Sequence, residues 1–219
     1  MYSYSEILAA ARNYKPGVVI EMLENNIREE TAKKNKTSGK STIIKNLIKY
    51  TDSYREEFKK ALTFDNETFY FCDCHRIFKT NSSFGYDINN TPFNGLQNMI
   101  PDVIKSVNDQ IELNKTEINA FIKLNALRRG NYSSLNNPFF LMSKDGEIYA
   151  YNPFYLIDLI DFTGCQKLLV SGYKKPAVSE DGNALILPIN HNYGLRAFGE
   201  WRAKYFGDSI PATCENIPA

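Results

Sequence analysis

The chain has 219 residues, 26 Lys+Arg against 25 Asp+Glu, and 43% hydrophobic and 13% aromatic residues. That apolar content supports a packed core and excludes a wholly disordered chain, while a formal net charge of +1 excludes a globally basic nucleic-acid binder but leaves local patches open. No apolar run reaches the roughly 18–20 residues needed to span a bilayer, Met1–Glu6 has neither a basic nor a long apolar leader region, and four cysteines do not make a disulfide scaffold. The expectation is a soluble protein of a reducing cytoplasm, with no signal peptide and no membrane contact.

Residues 1–32 read as helical: Ile7, Leu8, Ala11 and Tyr14 share a face, Pro16-Gly17 breaks it, and Val18, Val19, Met22, Leu23 and Ile27 resume it. Residues 33–40 have no apolar side chain and read as a linker, with Ser41 capping a helix whose stripe is Ile43, Ile44, Leu47 and Ile48. Ala61–Phe64, the turn Asp65-Asn66 and Thr68–Cys72 predict a hairpin, and Arg76–Thr80 a further strand. After a turn-rich stretch at 81–96, Pro101-Asp102 opens a short helix carrying Val103, Ile104 and Val107. A stronger helix is predicted over 116–129, with Ile118, Phe121, Ile122 and Leu127 inward. Phe139–Met142, the turn Lys144-Asp145-Gly146 and Ile148–Tyr151 form a second hairpin, and Asn152-Pro153 starts a helix through Phe162. Three strands follow, around 168–170, 176–178 and 184–189, and an amphipathic helix over 195–206 carries Leu195, Phe198, Trp201 and Tyr205. This order predicts an α+β fold with antiparallel sheets rather than a regular βαβ alternation.

Few groupings suggest chemistry. Gly39-Lys40-Ser41-Thr42 matches the end of a phosphate-binding loop, but that motif needs a glycine at position 34, which is Lys34, and a preceding strand. Cys72, Cys74 and His75 are close, yet a Cys-x-Cys pair within a strand is not the usual zinc spacing, so no metal or other cofactor is expected. The only histidines are His75 and His191, and no nucleophile elbow surrounds any Ser or Cys, so the chain reads as non-catalytic, with a hydrolase or nuclease as the weakest alternative. Asp158 and Asp161, three apart on a helix, read as its solvated face. The clearest electrostatic feature is basic: from Thr31 to Thr51 there is no acidic residue, while Lys33, Lys34, Lys36, Lys40, Lys45 and Lys49 are present. Lys123, Arg128 and Arg129 form a second cluster. Both could face the phosphates of a duplex, or be ordinary solvated lysine-rich faces.

Two segments carry a family likeness. The first is Phe69–Phe78, containing Asp73-Cys74-His75-Arg76-Ile77, with Ala61–Phe64 before it and Met99-Ile100-Pro101 after it. The second is Tyr151-Asn152-Pro153-Phe154-Tyr155-Leu156-Ile157-Asp158-Leu159-Ile160, followed by Lys175–Val178 and Leu185-Ile186-Leu187-Pro188-Ile189. In this order they resemble the bacterial β sliding clamp, the DNA polymerase III processivity subunit, over roughly residues 41–190. Cys74 departs from the family's glycine, and Leu187 from its methionine. The resemblance implies a DNA-clamp-like domain at 41–190, a helical extension and basic linker at 1–40, and a partly helical tail at 191–219. It further implies helices 41–50 and 116–129 turned toward duplex DNA, with Lys40, Lys45, Lys49, Lys123, Arg128 and Arg129 as phosphate contacts. A pocket for polymerase- or clamp-loader-type peptides would use His75, Arg76 and Ile77 with Leu185, Leu187 and Pro188, two groups that the family takes from adjacent domains, so a complete pocket here would need two chains side by side. One domain per chain implies a homo-oligomer if a ring is to close; the alternative is an adaptor or decoy that keeps the clamp fold without encircling DNA.

Overall fold

The computed structural model describes residues 2–13, 16–34, 38–50, 59–65, 68–73, 75–84, 96–129, 137–172, 174–189 and 195–207. The chain divides into two compact units, Met1–Asp73 with Lys79–Pro92, and Cys74–Phe78 with Phe93–Ala219.

The first unit holds α1 (Tyr4–Arg12), α2 (Pro16–Lys34), α3 (Ser38–Tyr50), β1 (Lys59–Asp65) and β2 (Thr68–Asp73). A capping box starts α1: Ser3 Oγ accepts from Glu6 N, and Ser3 N donates back to Glu6 Oε2 at 2.8 Å. Asn26 of α2 holds that start in place, its Oδ1 accepting from Tyr2 N at 2.6 Å and its Nδ2 donating to Tyr2 O at 2.9 Å. The linker expected at 33–40 is shorter, because α2 runs on to Lys34 and α3 begins at Ser38. Lysine is a good helix former, so a polar run need not be coil. Ser41 therefore lies inside α3 rather than at its cap, and so does Gly39-Lys40-Ser41-Thr42. Ile43, Ile44 and Leu47 are buried as their spacing requires. The predicted hairpin is present, with Ala61 opposite Phe71.

The second unit contains β3 (Arg76–Thr80) as far as Phe78, α4 (Leu96–Lys105), β4 (Asp109–Glu112), α5 (Lys115–Leu124), β5 (Phe139–Met142), β6 (Ile148–Tyr151), α6 (Pro153–Thr163), β7 (Lys167–Val170), β8 (Ala177–Ser179), β9 (Ala184–Ile186) and α7 (Leu195–Phe206). Strands β3, β9, β8, β7 and β4 lie side by side in that order, and β5 pairs with β6 separately. The pairings are antiparallel, which with the helices makes the fold α+β. The helix expected to open at Pro101 begins earlier, at Leu96, with Pro101 inside it; buried Ile100 and Val103 carry the apolar stripe across the missing N–H. Strand β4 went unpredicted, although Ile111 and Leu113 alternate inward with polar neighbours.

Helix α5 also differs from expectation, ending at Leu124 instead of running to 129. Asn114 caps its start, accepting from Thr116 N and Glu117 N. At its end the Asn125 side chain donates to Phe121 O at 2.9 Å, and Ala126 has φ 48°, outside helical geometry. Helix α6 starts as predicted, with Asn152 Oδ1 accepting from Phe154 N at 2.9 Å, and stops at Gly164 in the left-handed region (φ 81°). Helix α7 packs aromatic side chains onto α5 and β5: Trp201 lies against Phe121 and Phe139, with ring centroids 5.7 and 5.0 Å away. Arg202 bonds Glu117 at 3.3 Å, and Tyr205 Oη donates to Asn125 Oδ1 at 2.8 Å.

Candidate functional site

Burial of Ile43, Ile44 and Leu47 turns one side of α3 inward, so Lys45 on another side is exposed and Lys40 is half-buried. Lys49 belongs to α3, but its side chain lies outside the described residues. On α5, Ile118 and Phe121 are buried and Lys123 is exposed; Arg128, beyond the helix end, is exposed as well. Arg129 is differently placed. Its Nη1 and Nη2 bond Asp158 Oδ2 and Oδ1 at 2.5 and 2.8 Å, a bidentate pair, and its guanidinium lies 5.0 Å from the Phe154 ring.

The six expected pocket residues fall at one corner of the second unit. Antiparallel register puts Arg76 opposite Ile186 and Ile77 opposite Leu185. Just past β9, Leu187 N donates to His75 O at 2.9 Å. Ile77 and Leu185 are buried core residues, whereas His75, Leu187 and Pro188 are half-buried. The His75 ring lies 6.0 Å from that of Tyr155, a neighbour that sequence reading did not include.

Alternation along β3 sends Arg76 and Phe78 to the same face. Phe78 meets Phe162 of α6, with centroids 4.6 Å apart. Arg76, only 4% exposed, bonds Asp158 at 2.6 Å and stacks 4.0 Å from the Tyr155 ring centre. Asp158 therefore receives two guanidiniums and is 2% exposed, which overturns its expected place on a solvated face. The physical reason is that α6 is apolar nearly all round, burying Phe154, Leu156, Leu159, Ile160 and Phe162, so an acid among them must be paired. Burial pushes the Asp158 carboxyl above its ordinary range, and Arg76 and Arg129 pull against that push. Asp161 does keep an exposed position, paired with Lys115.

Cys72 is a buried thiol in β2; Cys74, His191 and Cys214 lie outside the described residues. Among the described residues, no group of three or more His, Cys, Asp or Glu side chains gathers in a way that could hold a metal ion. No described helix is long and apolar enough to cross a membrane.

No protein-family model matches the chain, and no curated protein does. Among solved structures, the chain is similar to one described as "Putative DNA polymerase III beta subunit", from Eubacterium rectale, with 13% identity and a TM-score of 0.45. The similarity covers 70% of this chain and 64% of that one, so the match spans less than two thirds of that protein's length.

Proposed function

We propose that the chain is a clamp-like DNA-tethering or processivity factor that acts without catalysis. The observation that carries this reading is the Arg76–Asp158 contact at 2.6 Å together with the β3–β9 register. The segments whose sequences separately resemble the sliding clamp meet there in one unit. Exposed Lys45, Lys123 and Arg128 supply the phosphate contacts in this reading. Lys40 adds a half-buried contact, and Lys49 is assigned from sequence alone. Arg129 braces Asp158 instead. Contacts of this kind hold duplex without reading its sequence, and so permit sliding. The corner of His75, Leu187 and Pro188 would take the apolar anchor of a replication-type partner peptide, with a second copy of the chain completing the pocket.

The test is binding of the full chain to a generic labelled duplex, followed by anisotropy as salt is raised. Binding that weakens steeply with salt is expected. No binding at low salt, with the far-UV spectrum intact, would overturn the DNA half of the reading.

One observation favours the adaptor alternative. Ile20, Leu23 and Ile27 of α2 are exposed along one side of the helix, 57%, 44% and 63% respectively, whereas the apolar residues of α7 pack into its own unit. An adaptor would therefore use α2, and substituting these three by Ser would abolish its partner binding while leaving any DNA binding unchanged.

A further inference from the structure

A cleft of about 360 Å³ lies within the second unit among β4, β5, α5 and α7, in the size range of sites that accept a side chain or small ligand. Phe139, Leu141, Met142 and Phe198 give it an apolar lining, while Glu112, Glu117 and Arg202 supply charge. None of its described lining residues belongs to the β3–β9 corner. Met142 is 43% exposed, and methionine is the apolar residue that adapts most readily to an incoming group.

Among the described residues, the charges at this cleft do not balance. Arg202 bonds Glu117 at 3.3 Å and offsets it. Glu112, with its side chain 65% exposed, has Lys167 at 3.9 Å, but that lysine is shared with Glu180 at 3.7 Å. Three carboxylates, Glu112, Glu117 and Glu180, thus share two cations, Arg202 and Lys167, and the cleft is apolar inside with an acidic rim. We propose that it docks a protein segment that inserts an apolar side chain and carries a Lys or Arg beside it. The apolar group fills the space against Phe139 and Phe198, and the cation meets Glu112.

The chain's single tryptophan reports on this site. Trp201 packs against the lining residues Phe139, Phe140 and Phe198, with centroids 5.0, 5.4 and 6.2 Å away. The experiment titrates the full chain, without DNA, with acetyl-Leu-Phe-Lys-amide and acetyl-Leu-Phe-Glu-amide while following Trp201 emission. The lysine peptide is expected to shift the emission saturably and to bind about tenfold more tightly than the glutamate peptide, a swing of two unit charges at a partly exposed rim. Glu112→Lys is expected to reverse that preference in a chain that still unfolds cooperatively, with a slightly lower melting temperature because the new cation lies opposite Lys167. A response without saturation, equal binding of the two peptides, or an unchanged preference in Glu112→Lys would overturn the proposal. So would self-association that Glu112→Lys abolishes while neither peptide binds, which would give the cleft to a second copy. Because no DNA is present, failure here leaves the tethering reading standing, and failure of that reading leaves this one standing.

Discussion

Helices α2 and α6 both carry rows of branched apolar residues, yet they end in opposite environments. On α6, Phe154, Leu156, Leu159, Ile160 and Phe162 are buried, and even its acid Asp158 is enclosed. On α2, Ile20 and Ile27 remain 57% and 63% exposed. Full burial of such a side chain contributes about 1.5–3 kcal/mol, so α6 draws on a stabilisation that α2 largely forgoes. Apolar spacing says that a helix has a face; it does not say that the chain itself covers it. A helix with apolar residues all round is a firmer indication of burial than a single stripe.

That contrast can be broken or sharpened by substitution. The largest effects belong to the second unit. Trp201→Ala, at the centre of the α5–β5–α7 aromatic cluster, should cost about 3–5 kcal/mol in urea unfolding followed by circular dichroism. Asp158→Ala leaves Arg76 buried without its carboxylate and should also cost about 3–5 kcal/mol, read from the Trp201 fluorescence transition. Its helix neighbour is the control: Asp161→Ala removes only the exposed pair with Lys115 and should change stability by about 0–1 kcal/mol. Equal losses at 158 and 161 would contradict the buried two-arginine arrangement. On α2, Ile27→Ser should stay within about 0.5 kcal/mol of the parent; a loss of several times that would mean that the helix face is covered after all.

The smallest effect is a titration. Asp109 Oδ2 accepts from Asp145 N at 3.0 Å, and that bond holds its carboxyl below the ordinary value of 3.8. Because the folded value is depressed, its stabilisation is present above the ordinary carboxylate value and is lost as pH falls through the lowered one. Carboxyl NMR should show Asp109 titrating below 3.8, and Asp145→Pro, which removes the donor N–H, should raise it.

Much of the fold was legible. The hairpins at β1–β2 and β5–β6, the Asn152-Pro153 start of α6 and the span of α7 follow from alternation, turn residues and caps. The capping box at the start of α1 is likewise written in the sequence, as Ser3 followed three residues later by Glu6. Boundaries differ from expectation where a polar run is helical instead of coil, between α2 and α3, and where a side chain intervenes, as Asn125 does at the end of α5. At the candidate site, the choice of His75–Ile77 and Leu185–Pro188 came from a family likeness that takes the two groups from adjacent domains; their meeting within one unit comes from the β3–β9 register, which neither that likeness nor spacing supplied. The pairing of Arg76 and Arg129 with Asp158 spans 82 and 29 residues of sequence, and no local pattern encodes so distant a partner. Tyr155 was missed for the same reason.

The most direct measurement of DNA tethering is the slope of log affinity against log salt on a generic duplex, for the parent chain and for Lys45→Ala, Lys123→Ala, Arg128→Ala and Arg129→Ala. Each exposed phosphate contact removed should reduce the magnitude of the slope by about 0.9. Lys45, Lys123 and Arg128 are expected to show that reduction, whereas Arg129→Ala should lower stability and leave the slope in place. Slopes unchanged by all of the exposed substitutions, or no binding by the folded parent, would contradict the tethering function.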